Sequence, residues 1–321
     1  MDFSLTTSFA SYLNNFNPIV YIVVCVLNGI FLFFASLKFL LSMQQSGYKN
    51  KRFLSWLTDK HNSYLSRLML LCLLGFLFFC LLSMVFSPIV GDFASSLIGF
   101  ISYFLFTSLY IKAEQSVNKK APLKKTKRLV RLSVVYILLL SAVTFAFAVF
   151  FDLIAYLIKD NVVFLLRYSL ICGMPILLPF ILVLANGIVY PIEKIIYNYY
   201  VKKTKAKLNS FNVTKIAITG SYGKTSVKEI LSNLLSVKYR VLSTPKSYNT
   251  PMGISLSAKK LDYTHDIFIA EFGARHVGDI KELADIVSPS IGILTGIDNQ
   301  HLETFKTREN IIKTKNELFL S

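Results

Sequence analysis

A chain of 321 residues has room for about two domains, and 54% of it is hydrophobic against 17% charged. The formal net charge of +17 would suit a nucleic-acid partner, but its placement excludes that reading: residues 1–209 hold 21 Lys and Arg against 7 acids, and residues 210–321 hold 14 against 11. The excess belongs to the apolar half. Four cysteines, Cys25, Cys72, Cys80 and Cys172, all lie within apolar runs, with neither zinc spacing nor a disulfide framework, so they read as small packing residues.

From the N-terminus, apolar runs occur at about 18–41, 68–90, 93–111, 132–158 and 162–190. Each is long enough to cross a bilayer as a helix, which takes about 20 residues, and five in succession predict an all-α membrane domain of five transmembrane helices over residues 1–209. Asp2 and the lack of a basic leader make the first run a retained helix, not a cleaved signal. Basic residues follow the first run (Lys49, Lys51, Arg52), the third (Lys119, Lys120, Lys124, Lys125, Lys127, Arg128) and the fifth (Lys194, Lys202, Lys203, Lys205, Lys207), whereas the connections after the second and fourth are short and nearly uncharged. By the positive-inside rule the protein is a multi-pass component of the cytoplasmic membrane, with its N-terminus outside and residues 210–321 in the cytoplasm. Polar residues that could line a transport pathway are scarce, which favours an anchor in the lipid bilayer.

Beyond residue 210 short β-branched runs alternate with helical stretches, the mark of an α/β domain with a mainly parallel sheet. Strands are predicted at 215–219, 239–243, 266–271 and 291–295, and helices at 225–236, 253–260, 277–287 and 308–319. Ligands of such sheets bind beyond the carboxyl ends of the strands. The first strand runs into Gly220, Ser221, Tyr222, Gly223, Lys224, Thr225 and Ser226, a P-loop-like turn opening a helix. Glycines let backbone N–H groups approach phosphates, Lys224 neutralises them, and the Thr225 hydroxyl suits a magnesium ion. The loop is shorter than the usual pattern, since Ile218 stands where a further glycine is expected. ATP and Mg2+ are the implied ligands. The second strand leads to Asn249 and Thr250, either phosphate contacts or a polar turn ahead of Pro251. The third ends in Glu271, where a carboxylate beside a P-loop suits a magnesium ligand. The fourth leads to His301.

Together these blocks, TGSYGKTS at 219–226, NTPMG at 249–253, EFGARHVGDI at 271–280, PSIGILT at 289–295, HLETF at 301–305 and KTKNELF at 313–319, resemble the central ATP-binding domain of the Mur ligase family. In pattern they are nearest to members that add D-alanyl-D-alanine to the UDP-N-acetylmuramoyl tripeptide of peptidoglycan precursors. The resemblance implies that Lys224 holds the ATP phosphates, Thr225 and Glu271 one magnesium ion, Asn249 the γ-phosphate, and His301 a second metal. It also implies that Lys315 reacts with carbon dioxide to give a carbamate ligand. The implied reaction is amide ligation through an acyl phosphate. Gly296 departs from the family, which commonly has asparagine there, and membrane helices stand where the family's UDP-sugar domain would be.

Because the chain stops at Ser321, near the Lys315 helix, the α/β domain is expected to be incomplete at its C-terminus. The chain is then a fragment that does not ligate alone. The alternatives are a Mur-like ligase acting on a lipid-linked or other acidic polymer, and a nucleotide-binding membrane scaffold or transporter component without ligase activity.

Overall fold

The computed structural model describes residues 18–59, 64–90, 104–112, 123–158, 162–246, 248–298 and 305–320. The chain divides into two compact units, Met1–Pro191 and Ile192–Ser321. The division falls inside a long helix, ahead of the composition break near residue 210.

In the first unit the described helices are α1 (Pro18–Ala35), α2 (Leu37–Gln45), α3 (Asn50–Leu57), α4 (Tyr64–Val90), α5 (Lys127–Ile158) and the first part of α6 (Val162–Ser210), with residues 104–112 also helical. The first apolar run is not one straight rod, because α1 and α2 meet at a bend of 55°. Ser36 sits at the break and donates its hydroxyl to the Phe33 carbonyl at 2.7 Å, a local bond that competes with the helical ladder and bends it. Two helices, Lys127–Phe147 and Met174–Ser210, are long and apolar enough to cross a membrane, or three if the bent pair counts as one span. The described residues therefore carry two or three candidate spans against the five expected. The run at 68–90 forms α4, and most of the run at 93–111 lies outside the described residues. The basic stretch after Tyr190 continues α6 as helix, with Pro175, Pro179 and Pro191 inside it. Leu32, Phe39, Phe53, Leu132, Leu178 and Leu182 form a core around Tyr136, whose buried hydroxyl donates to the Leu178 carbonyl at 2.9 Å.

The second unit alternates strand and helix: β1 (Thr214–Thr219), α7 (Lys224–Ser236), β2 (Val241–Ser243), α8 (Pro251–Ala258), β3 (Ile267–Glu271), α9 (Asp279–Val287), β4 (Ile291–Leu294) and α10 (Arg308–Asn316), closed by a 3-10 turn at Glu317–Phe319. All strand pairs are parallel and the order is β2-β3-β1-β4. Alternation along the central strands sends side chains to opposite faces. Ile216, Ile218 and Ile269 pack with Val227 and Leu231 of α7. Ala217, Phe268 and Ala270 pack with Ile254 of α8, Leu283 of α9 and Ile311 of α10. Helices thus cover both faces, which is why these strands read as continuous apolar runs. In that order β1 and β3 are neighbours, and Ile218 pairs in register with Glu271. The loop after β1 and the carboxylate ending β3 are thereby placed side by side.

Candidate functional site

The loop after β1 is shaped by two glycines. Gly220 has φ +155 and Gly223 φ +74, and a Cβ on Gly220 would lie 2.1 Å from the Thr295 hydroxyl. No other residue fits that approach. The loop is tied to the end of β4: Ser221 donates its N–H to the Gly296 carbonyl at 2.8 Å, and its hydroxyl accepts from the Asp298 N–H at 3.0 Å. Gly296, the departure noted in the sequence, has a local cause, since a Cβ there would meet the Tyr222 ring at 2.7 Å. Gly223 caps α7 in the left-handed region, and the loop opens directly onto the helix N-terminus, where backbone N–H groups and the helix dipole favour anions.

Lys224, the first residue of α7, folds back over the loop and donates its ammonium to the Gly220 and Ser221 carbonyls at 2.6 and 3.2 Å. Burial lowers its pKa and the nearby Glu271 charge partly restores it. Thr225 turns the other way, donating its hydroxyl to Glu271 Oε2 at 2.9 Å. Glu271 is 1% exposed and fully engaged. Its Oε2 also accepts from Lys228 Nζ at 3.1 Å, and its Oε1 accepts from Asn249 Nδ2 at 3.1 Å. Asn249 is held in turn by its carbonyl, which accepts the Gly273 N–H at 2.8 Å. A Cβ on Gly273 would meet the Asn249 side chain at 2.7 Å, so that glycine makes room for the amide.

Lys228 is the buried partner of Glu271 that sequence reasoning missed. It lies one turn beyond Lys224 on the same face of α7, is 1% exposed, and also donates to the Lys246 carbonyl. The available signal was its spacing: a lysine four residues from a P-loop lysine, on a helix whose face meets the strand ends.

Lys315 on α10 is 4% exposed. Burial pushes its ammonium down to about 8; the Lys224 charge lowers it further, and Asp279 and Glu317 oppose the shift. Glu317 anchors this corner by accepting the Gly278 and Lys281 N–H groups at 2.8 and 3.0 Å at the start of α9. His301 lies outside the described residues. Of the residues expected in the site, the structure brings Gly220, Ser221, Tyr222, Gly223, Lys224, Thr225, Asn249 and Glu271 together at the carboxyl ends of β1 and β3. Ser226 follows on α7.

Among the described residues no group of three or more His, Cys, Asp or Glu converges as a metal site. Beside the loop, Glu271 offers a cation a carboxylate and Thr225 a hydroxyl. That oxygen-poor protein set suits a magnesium ion, which commonly takes one or two protein oxygens and completes its shell with phosphates and water. The glycine-walled loop suits the phosphates.

Residues 218–321 match the family described as the Mur ligase middle domain. This segment resembles a Mur ligase middle domain. The UDP-N-acetylmuramoyl-tripeptide--D-alanyl-D-alanine ligase of Mycobacterium tuberculosis (strain ATCC 25618 / H37Rv) is 39% identical over 113 residues, 35% of this chain and 22% of the relative. The ligase of that name from Buchnera aphidicola subsp. Baizongia pistaciae is 38% identical over 109 residues, 34% of this chain and 24% of the relative. Among solved structures, the MurF ligase of Thermotoga maritima in complex with ADP aligns at 39% identity over 38% of this chain and 29% of that chain, with a TM-score of 0.37. The chain spans less than a quarter of the length of either curated relative. The matched stretch begins within β1 and includes every residue of the site just described.

Proposed function

We propose that this chain is the membrane-anchored, nucleotide-binding part of an ATP-dependent amide ligase of peptidoglycan precursor synthesis, adding D-alanyl-D-alanine to a muramoyl tripeptide. The observation that carries it is the meeting of Lys224, Thr225, Asn249 and Glu271 around a glycine-walled loop, inside a segment 39% identical to a ligase of that name. In this reading the apolar runs hold residues 210–321 at the cytoplasmic face through five membrane spans, the N-terminus lying outside. A lipid-linked acceptor is the nearest variant, favoured by the apolar helices of the first unit.

A substrate carboxylate oxygen attacks the γ-phosphorus of ATP, the bond to ADP breaks, and an acyl phosphate forms. A neutral amine then attacks the acyl carbon, phosphate leaves, the nitrogen loses a proton, and the amide is complete. Loop N–H groups and Lys224 stabilise the negative charge that moves onto the phosphate oxygens. The Asn249 amide positions the γ-phosphate, and Thr225 with Glu271 holds Mg2+, which supplies Lewis-acid charge neutralisation when bound. Lys315, with its lowered pKa, offers a neutral amine to carbon dioxide: the nitrogen lone pair forms the C–N bond, a proton is lost, and an anionic carbamate results. His301 serves a second metal.

Equilibrium dialysis of radiolabelled ADP and ATP against the chain in detergent tests the site. Binding should strengthen with Mg2+, and Thr225→Ala should remove that Mg2+ dependence while leaving metal-free binding. Wild-type binding indifferent to Mg2+ would refute the metal assignment. Sodium carbonate extraction of cell membranes tests placement, with retention in the pellet expected and release into the supernatant fatal to it.

A further inference from the structure

The turn between α2 and α3 is held more firmly than a surface connection needs. Gly47 and Tyr48 both have positive φ, +65 and +59, and for a tyrosine that conformation costs on the order of 1 kcal/mol or more. Four distant groups hold it in place. Buried Asn186 on α6 donates to the Tyr48 carbonyl at 3.0 Å and to Asn50 Oδ1 at 2.7 Å. Asn50 donates to the Val183 carbonyl at 3.3 Å. The Gln44 amide exchanges two 2.8 Å hydrogen bonds with the backbone of Lys124, and the Arg128 guanidinium lies 4.0 Å over the Tyr48 ring.

The clamp gathers like charge. It ties the turn that carries Lys49, Lys51 and Arg52 to the segment that carries Lys124, Lys125 and Lys127, and among the described residues no carboxylate forms an ion pair with any of these lysines. Holding so many cations together is repulsive unless an anion joins them. The neighbouring surface says which anion. Lys127, Val130, Val134 and Leu138 follow helical spacing along one face of α5, and the three apolar side chains are 57%, 52% and 63% exposed. A charged head at Lys127 would thus have an apolar track leading directly away from it.

We propose that the α2–α3 turn and the start of α5 form a binding site for the phosphate-bearing headgroup of an anionic lipid, its acyl chain lying along Val130, Val134 and Leu138. The inference rests on the membrane placement proposed above. Carbonate extraction tests that placement separately, so the two can fail independently.

The protein's single tryptophan, Trp56, reports the site. It lies on α3 against Phe53 and Phe39, at ring-centroid distances of 5.8 and 6.5 Å. The full chain in maltoside micelles is titrated with dioctanoyl phosphatidylglycerol, dioctanoyl phosphatidylcholine or inorganic phosphate while Trp56 emission is followed. Phosphatidylglycerol should give a saturable change, and the other two should give none. Each basic residue near an anionic headgroup contributes roughly fivefold in affinity, so the triple variant Lys49→Gln, Lys51→Gln, Lys127→Gln should bind at least tenfold more weakly. Asn186→Ala keeps every charge but releases the turn, and should also weaken binding. The pair Lys238→Gln, Lys281→Gln, far from α3 in sequence and in the second unit, should bind as wild type does. An equal response to phosphatidylcholine or to phosphate, or wild-type affinity in either the triple variant or Asn186→Ala, would overturn the proposal.

Discussion

The two units of this chain handle polarity in opposite ways. In the second, α9 buries Ile280, Leu283, Ala284, Ile286 and Val287 and turns Lys281, Glu282 and Asp285 outward, the pattern of a helix beside water. In the first, α5 exposes Val130, Val134 and Leu138 while Thr144 is buried. Thr144 accepts from Asn28 at 3.3 Å and donates to the Leu140 carbonyl at 2.8 Å. Small polar groups mark the interior there, as hydrogen-bonding residues do between helices in lipid, and outward apolar surface is what the proposed bilayer would cover. A hydrophobic stripe therefore identifies the core in one unit and the periphery in the other.

The sharpest way to separate the units is Lys224→Ala. It should lower ATP-dependent phosphate release by the full-length protein on the order of a thousandfold or more while leaving carbonate-resistant membrane retention unchanged. Loss of both together would mean that the units do not act separately.

Lys228→Met comes next. It strands the buried Glu271 carboxylate, and breaking such a pair costs about 3–5 kcal/mol. Hydrogen exchange should show the strands of the second unit losing protection while α5 keeps it. The double variant Lys228→Met, Glu271→Met should recover most of the loss. A single variant as stable as wild type would show that the pair contributes little.

A smaller contrast compares two leucines. Leu283→Ala, at a position 1% exposed, should cost about 2–4 kcal/mol in urea unfolding, whereas Leu138→Ala should change stability in micelles by less than about 0.5 kcal/mol. Equal effects would erase the distinction between core and periphery.

A further contrast is one of pH. Lys315 has a folded pKa of about 8 against an ordinary value of about 10.4, so between those values the folded protein binds fewer protons than the unfolded one. Stability should therefore rise from pH 8 to pH 10, the penalty for burying the charge being fully present below pH 8. Lys315→Met should gain on wild type at pH 7 and lose that advantage by pH 10. The same urea midpoint difference at both pH values would contradict the burial.

Much of this was legible in the sequence, and unevenly. The strands of the second unit begin and end within two residues of their expected places, because β-branched runs between glycine and polar turns leave few alternatives. The loop, Asn249 and Glu271 were readable as residues following strands. Lys228 was not, since a helical lysine is ordinarily solvated, and its partners, the β3 carboxylate and the Lys246 carbonyl, lie far from it in sequence. The bend at Ser36 depends on one hydroxyl finding a carbonyl, a choice that hydropathy does not record. α3 was missed because Asn50–Leu57 is short and carries Lys51 and Arg52, and what fixes it against the bundle is the burial of Phe53 and Leu57 with the bonds of Asn50 to α6.

Phosphate release by the full-length protein, assayed with a UDP-muramoyl tripeptide and D-alanyl-D-alanine added singly and together, tests the central claim most directly. Release that requires both substrates and yields the amide product by mass spectrometry is the predicted result. Hydrolysis indifferent to either substrate, or no amide with both present, would contradict it.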